Sequence, residues 1–117
     1  MDAAPVAGSG EFYDVEKASN GNVRLYNLPD GKRALRLDPF EVEQNTELYV
    51  WLSEADEPRT SAEAVAAPHT EIALLKSTLG SQNYVLPDAL SISRIGSVVI
   101  WCAPVRIAYS AARLTPT

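Results

Sequence analysis

The chain has one cysteine, one histidine and one methionine among its 117 residues. A lone thiol closes no internal disulfide, so a disulfide-stapled scaffold is excluded. One Cys and one His also fall short of a structural zinc set, and there is no C-x-x-C-H for covalent haem. No run approaches the ~18 apolar residues that a membrane-spanning helix needs. Basic residues are few: 10 Lys+Arg stand against 15 Asp+Glu, for a net charge of −5. With no basic run, neither a nucleic-acid footprint nor an anionic-membrane patch is expected. The phosphate loop, the calcium loop and the G-x-S-x-G elbow are all missing. The opening MDAAPVAGSGEF has no charged n-region and no apolar h-region, so it reads as the start of a mature chain rather than as a signal peptide.

What is present is the material of one globular domain. Hydrophobic content is 46% and charged content 21%, which is ordinary for such a domain. A chain of this length buries roughly 65% of its unfolded surface, enough for a core without metal or disulfide. Residues 1–10 are small, Gly- and Pro-bearing, and expected to be a mobile N-terminal segment. Residues 11–117 are expected to form a single β domain. Glu11–Val15 is the first β-rich run, followed by a turn signal at Ser19–Asn22. The stretch VRLYNLPDGKRALRL reads as a hairpin turning at Pro29-Asp30-Gly31. Glu47–Ser53 alternates Leu48, Val50 and Leu52 against Tyr49 and Trp51, a strand with two distinct faces. Glu54–Pro68 is polar and then Ala-rich, bracketed by Pro58 and Pro68. It reads as a surface loop with room for one helical turn at Ser61–Ala66. Thr70–Leu75 and Gln82–Leu86 are further strands. The fold class is therefore all-β, a single antiparallel sandwich or barrel of about 7–9 strands with no long helix.

The final run, Ser97–Ser110, is too long to stay straight. Fully extended it would span roughly 46 Å, against a diameter of about 35 Å for a compact domain of this size. Pro104 lacks a ladder donor, so a bend or bulge is expected at Ala103-Pro104. A one-residue bulge there would continue the face of Val98, Ile100 and Cys102 through Val105, Ile107 and Tyr109. That keeps the apolar face unbroken and turns Cys102 toward the core, at its rim.

Cys102 is the residue on which function turns. A cysteine packs well as a small hydrophobe. To be reactive, its thiol would need a cationic neighbour, for which Arg94 and Arg106 are the candidates by proximity in sequence. His69 could pair with a cysteine for nucleophilic chemistry, but it follows Pro68 in the loop and is expected to be exposed there. The acidic pairs Glu41/Glu43 and Asp56/Glu57 read as solvated surface. Trp101, Tyr84 and Tyr109 are core or core-edge aromatics that could line an approach to Cys102.

These motifs, in order, resemble the DM-thirteen domain family, an electron-transfer domain family of extracellular proteins. The likeness rests on Gly10, Phe12 and Gly21, then Leu35-Arg36-Leu37-Asp38-Pro39-Phe40, and Glu47–Leu52. It continues in Gly80-Ser81-Gln82-Asn83-Tyr84-Val85-Leu86-Pro87, in Ser97-Val98-Val99-Ile100-Trp101-Cys102, and in Ala112 and Leu114. The resemblance implies an all-β domain, an extracytoplasmic setting (secreted, periplasmic or cell-surface), a redox partner protein and a redox role for Cys102. In bacteria such domains often stand alone behind a signal peptide, which fits a chain without one. No cofactor is evident from spacing; haem or metal contact through Cys102 enters only by the resemblance. The chain departs from the family's pattern at Lys17, where a His is common, and at Pro104-Val105, where an aromatic is common. A redox or binding domain is expected rather than a turnover enzyme. The alternative is a non-catalytic protein- or glycan-binding or adhesion module, with Cys102 as core packing.

Overall fold

The computed structural model describes residues 5–45 and 47–117. Nine strands follow the chain: β1 (Val6–Asp14), β2 (Ser19–Asn27), β3 (Arg33–Val42), β4 (Leu48–Ser53), β5 (His69–Leu74), β6 (Gln82–Val85), β7 (Ser97–Cys102), β8 (Ile107–Arg113) and β9 (Thr115–Pro116). One short helix, α1 (Ser61–Ala66), separates β4 from β5. All neighbours pair antiparallel, in the order β5-β4-β7-β8-β1-β2-β3-β6, with β9 on β1. The sheet curls into a nearly closed barrel measuring 38 × 28 × 20 Å, so the all-β expectation holds in its barrel form.

β1 makes the curl possible. Its first half pairs with β2 and β9, and its second half, Phe12–Asp14, pairs with β8. A Cβ at Gly10 would overlap the Arg113 carbonyl oxygen, so the backbones come this close only because the residue is glycine. Of the segment 1–10 expected to be mobile, residues 1–4 lie outside the described residues. Val6–Gly10 instead form the paired first half of β1. The Ser19–Asn22 turn signal is also overridden. Those residues begin β2, and the register shifts between Gly21 and Val23, so the turn-forming residues make a bulge instead of a turn. The hairpin itself stands as read: Val23 faces Leu37 and Leu25 faces Leu35, and the Leu28 N–H bonds the Lys32 carbonyl at 2.8 Å.

The barrel interior is one apolar core drawn from every main strand, with Phe12 edge-on to Phe40 at 5.0 Å between ring centroids. A second, smaller cluster lies outside it. Trp51, Val99, Trp101, Ala108 and Ala111 point outward from β4, β7 and β8 and are covered by Ala64 of α1. The segment Glu54–Pro68 is therefore a lid over the sheet, and the helical turn allowed for at Ser61–Ala66 is what does the covering. Thr60 caps it by accepting the Glu63 N–H at 3.1 Å, as its hydroxyl favours at a helix start. Ser61 ties it down, accepting the Ala108 N–H at 2.9 Å and donating to Glu16 at 3.0 Å.

Side chains of β6 fasten the segment that follows β5. The Lys76 N–H donates to the Tyr84 hydroxyl at 2.8 Å, and that hydroxyl donates to Gln82 Oε1 at 2.5 Å.

Two glycines test the backbone account. A Cβ at Gly21 would run into the Pro39 carbonyl oxygen, at φ 125°, whereas Gly31, at φ 84°, has open space around it. Gly21→Ala is expected to lower stability by about 2–4 kcal/mol, and Gly31→Ala by about 1–2 kcal/mol. Equal losses in urea titrations would refute the steric role of the β2 bulge.

Candidate functional site

Cys102 is the last residue of β7, flanked by Leu48 on β4 and Ile107 on β8. It has no exposed surface and lies inside the barrel core with Val98, Ile100 and Tyr109. The long run ends here in a hairpin, not in a bulged strand. Ala103–Arg106 form a turn, and β8 returns alongside β7. Pro104 suits this because its fixed φ is pre-set for a turn, and Arg106 completes it at φ 56°. The bulge exists but lies further on. Ile100 faces Ser110 while Trp101 faces Ala108, leaving Tyr109 as the extra residue. Ile107 and Tyr109 do share the Cys102 side, as the parity argument required, but Val105 is 58% exposed in the turn.

Neither arginine nominated by sequence is placed to activate the thiol. Arg106 is exposed in the turn. Arg94 precedes β7 at its far end, roughly 17 Å of extended strand from Cys102. Lys17 does not stand in for the missing His either: its ammonium pairs with Glu43 at 3.4 Å. Its backbone N–H bonds the Tyr109 carbonyl.

The three aromatic candidates separate. Tyr109 shares the inner face with Cys102, its hydroxyl accepting from Asn45 at 3.1 Å. The Tyr84 phenol is engaged in closing the barrel, and its burial raises its pKa. Trp101 is bonded to Cys102 through one peptide but points to the opposite face, as successive strand residues must.

On that outer face the structure assembles what sequence reading missed. Trp101 stacks on Trp51 with centroids 4.3 Å apart and planes 16° from parallel. Trp51 in turn stacks on His69, at 4.0 Å and 10°. The pairing sets this up: Tyr49 faces Trp101, Trp51 faces Val99 and Ser53 faces His69, so the three rings are diagonal neighbours across β7, β4 and β5. His69 is exposed, as expected, but it begins β5 instead of floating in a loop. Its Nδ1 lies 2.9 Å from the Ala67 carbonyl. A carbonyl only accepts, so Nδ1 is the donor in this contact. Trp51 Nε1 is buried with no hydrogen-bond partner. Beside His69 opens a cleft of about 350 Å³ lined by Leu52, Glu54, Arg94 and Ile95 among others. The only hint of the stack in sequence is the outward pair Tyr49/Trp51; nothing local to His69 announces that β5 starts there.

Tyr13 borders the same cluster. Its hydroxyl donates to the Pro58 carbonyl at 2.7 Å and the Arg59 guanidinium sits 4.4 Å over its ring. Burial pushes the phenol up to about 12, with Arg59 opposing and Glu57 and Glu63 adding to the rise.

Haem ligation by Cys102 does not fit. A sulfur with no accessible surface, packed among apolar side chains, leaves no opening for a macrocycle. Among the described residues no three His, Cys, Asp or Glu side chains gather as a metal site, and no helix is long and apolar enough to cross a membrane.

The domain is thus an all-β barrel with a sealed thiol on one face of a strand and stacked aromatics on the other. The family model for the electron transfer DM13 domain matches residues 11–114, and the chain belongs to that family. No curated protein and no solved structure matches it.

Two measurements check the site. Cys102 is expected to resist thiol reagents in the folded state and to react only at the rate of unfolding. Cys102→Ser should cost about 1–3 kcal/mol by burying a hydroxyl in place of the thiol; labelling faster than unfolding would contradict the burial. For Tyr13, the folded phenol ionises later than the unfolded one. Stability is therefore fully present below pH 10.0 and declines as pH rises toward about 12. Tyr13→Phe should flatten that part of the stability–pH curve.

Proposed function

We propose that this domain passes single electrons outside the cytoplasm, with Cys102 as its redox-active group and a redox partner protein as donor or acceptor. The observation that carries this reading is the complete burial of the chain's one thiol in a member of an electron-transfer family. Disulfide exchange and sulfenic acid formation both require a reagent to touch sulfur. Transfer of one electron requires only proximity, so a sealed thiol suits it. Tyr109 on the inner face and Trp101 one peptide away are the groups nearest Cys102 in that role. The extracytoplasmic setting rests on the resemblance to domains of extracellular proteins. Protease accessibility of the protein on intact cells tests it separately.

A second reading keeps Cys102 as packing in a protein- or glycan-binding module. The cleft beside His69, with Glu54 and Arg94 in its wall, favours it.

The two part in a redox titration of folded protein with an outer-sphere Ir(IV) oxidant. The wild type is expected to give up one electron from sulfur, read as a sulfur-centred radical, its proton passing to water during local opening of the Ala103–Arg106 turn. Cys102→Ala, destabilised by only about 1–2 kcal/mol, should form no sulfur-centred radical, whatever electrons its aromatic rings give up. The absence of any sulfur-centred radical from the wild type would end the cysteine-centred reading.

A further inference from the structure

The Trp101–Trp51–His69 column does more than clip strands together. We propose that it is an electron relay, carrying charge from the strand that holds Cys102 to an exposed surface at His69, where a one-electron oxidant or reductant docks. The proposal rests on the single-electron reading above and names its route.

Three features carry it. The first is continuity. Ring faces overlap at 4.3 and 4.0 Å with planes within 16° of parallel, the geometry that couples π systems most strongly. Two stacked indoles share a positive charge and so lose an electron more readily than one. The second is the pair of ends. Trp101 is 7% exposed and one peptide from the sealed thiol, while His69 is exposed. The column therefore crosses from interior strand to solvent without requiring the barrel to open. The third is the Trp51 Nε1–H. It is buried and has no acceptor among the described residues, which slows proton loss from an oxidised Trp51. The ring then stays a radical cation long enough to be refilled reversibly.

The step balances simply. A one-electron oxidant over His69 gains one electron and the indole pair loses one. A one-electron reductant later returns it. No bond forms or breaks when the electron returns before either indole N–H is lost.

A clip without electronic function would need hydrophobic area at these positions but not oxidisable rings, and this difference is testable. His69 is the chain's only histidine, so a ruthenium polypyridyl photo-oxidant can be coordinated there alone. After flash-quench generation of Ru(III), transient absorption is expected to show an indole radical cation. Trp51→Phe keeps an aromatic ring but is harder to oxidise. It should cut the yield about tenfold or more, the factor in rate for each ~1.4 kcal/mol added to a barrier. Trp101→Phe should cut it to a lesser degree and abolish the band of the shared charge. Moving the label to β2, with Arg24→His in a His69→Gln background, puts it five places from β5 along the strand order and should give almost no indole radical. Wild-type yields from both Phe variants, or an equal yield from the β2 label, would overturn the relay. The outcomes separate from the parent reading: an intact relay in Cys102→Ala with no thiol oxidation in the wild type removes the cysteine and keeps the column. Thiol oxidation undiminished in Trp51→Phe, together with the failed flash experiment, removes only the route.

Discussion

Successive side chains of a strand point to opposite faces, and β7 has to bury both. All six of its residues are buried. Inward, Val98, Ile100 and Cys102 complete the barrel core; outward, Val99 and Trp101 need cover of their own. That second demand is met by α1 and by the aromatic neighbours on β4. It also makes the stretch between β4 and β5 a lid and gives Ala64 a buried place in the outer cluster. The alternation that puts the thiol inside is the same one that puts Trp101 outside. Two adjacent residues are thus sent by the pleat to opposite sides of the barrel wall.

Much of the fold was legible from period and turn chemistry. β4 reads directly from its alternation, and the β2–β3 hairpin from a Pro-Asp-Gly turn between two apolar runs. The length of Ser97–Ser110 called for a bend or bulge at Ala103-Pro104, and the chain instead reverses there. What sequence could not supply was the reversal's form. Pro104 is equally at home in a bulge and in a turn, and only pairing between Cys102 and Ile107 decides for the turn. Tertiary pairing likewise drew Ser19–Asn22 into β2 against strong local turn preference, and drew Val6–Gly10 into β1.

The site was legible in one half. Cys102 and its core-facing side followed from parity, and so did the placement of Tyr109 on that side. The outer column was not legible, because it depends on which residue of β4 lies diagonal to which residue of β5 and β7. A histidine after a proline looks like loop whether or not a tryptophan face waits beside it. Tyr84 shows the opposite case: its motif made it conspicuous, yet its hydroxyl serves closure of the barrel.

The seam between β5 and β6 has a further meaning. β5 and β6 end the strand order, each unpaired on its outer side among the described residues, and Leu74 and Val85 on them are 51% and 63% exposed. Left bare, such edges invite a strand from another molecule to zip on. Here the Lys76 backbone is held to a buried phenol, and its ammonium reaches the Asn83 carbonyl of β6 and lies 5.0 Å over the Tyr84 ring. An intruding strand meets a fastened backbone and a positive charge where it would look for free partners. The residues that finish the barrel also guard it against fibril-like pairing.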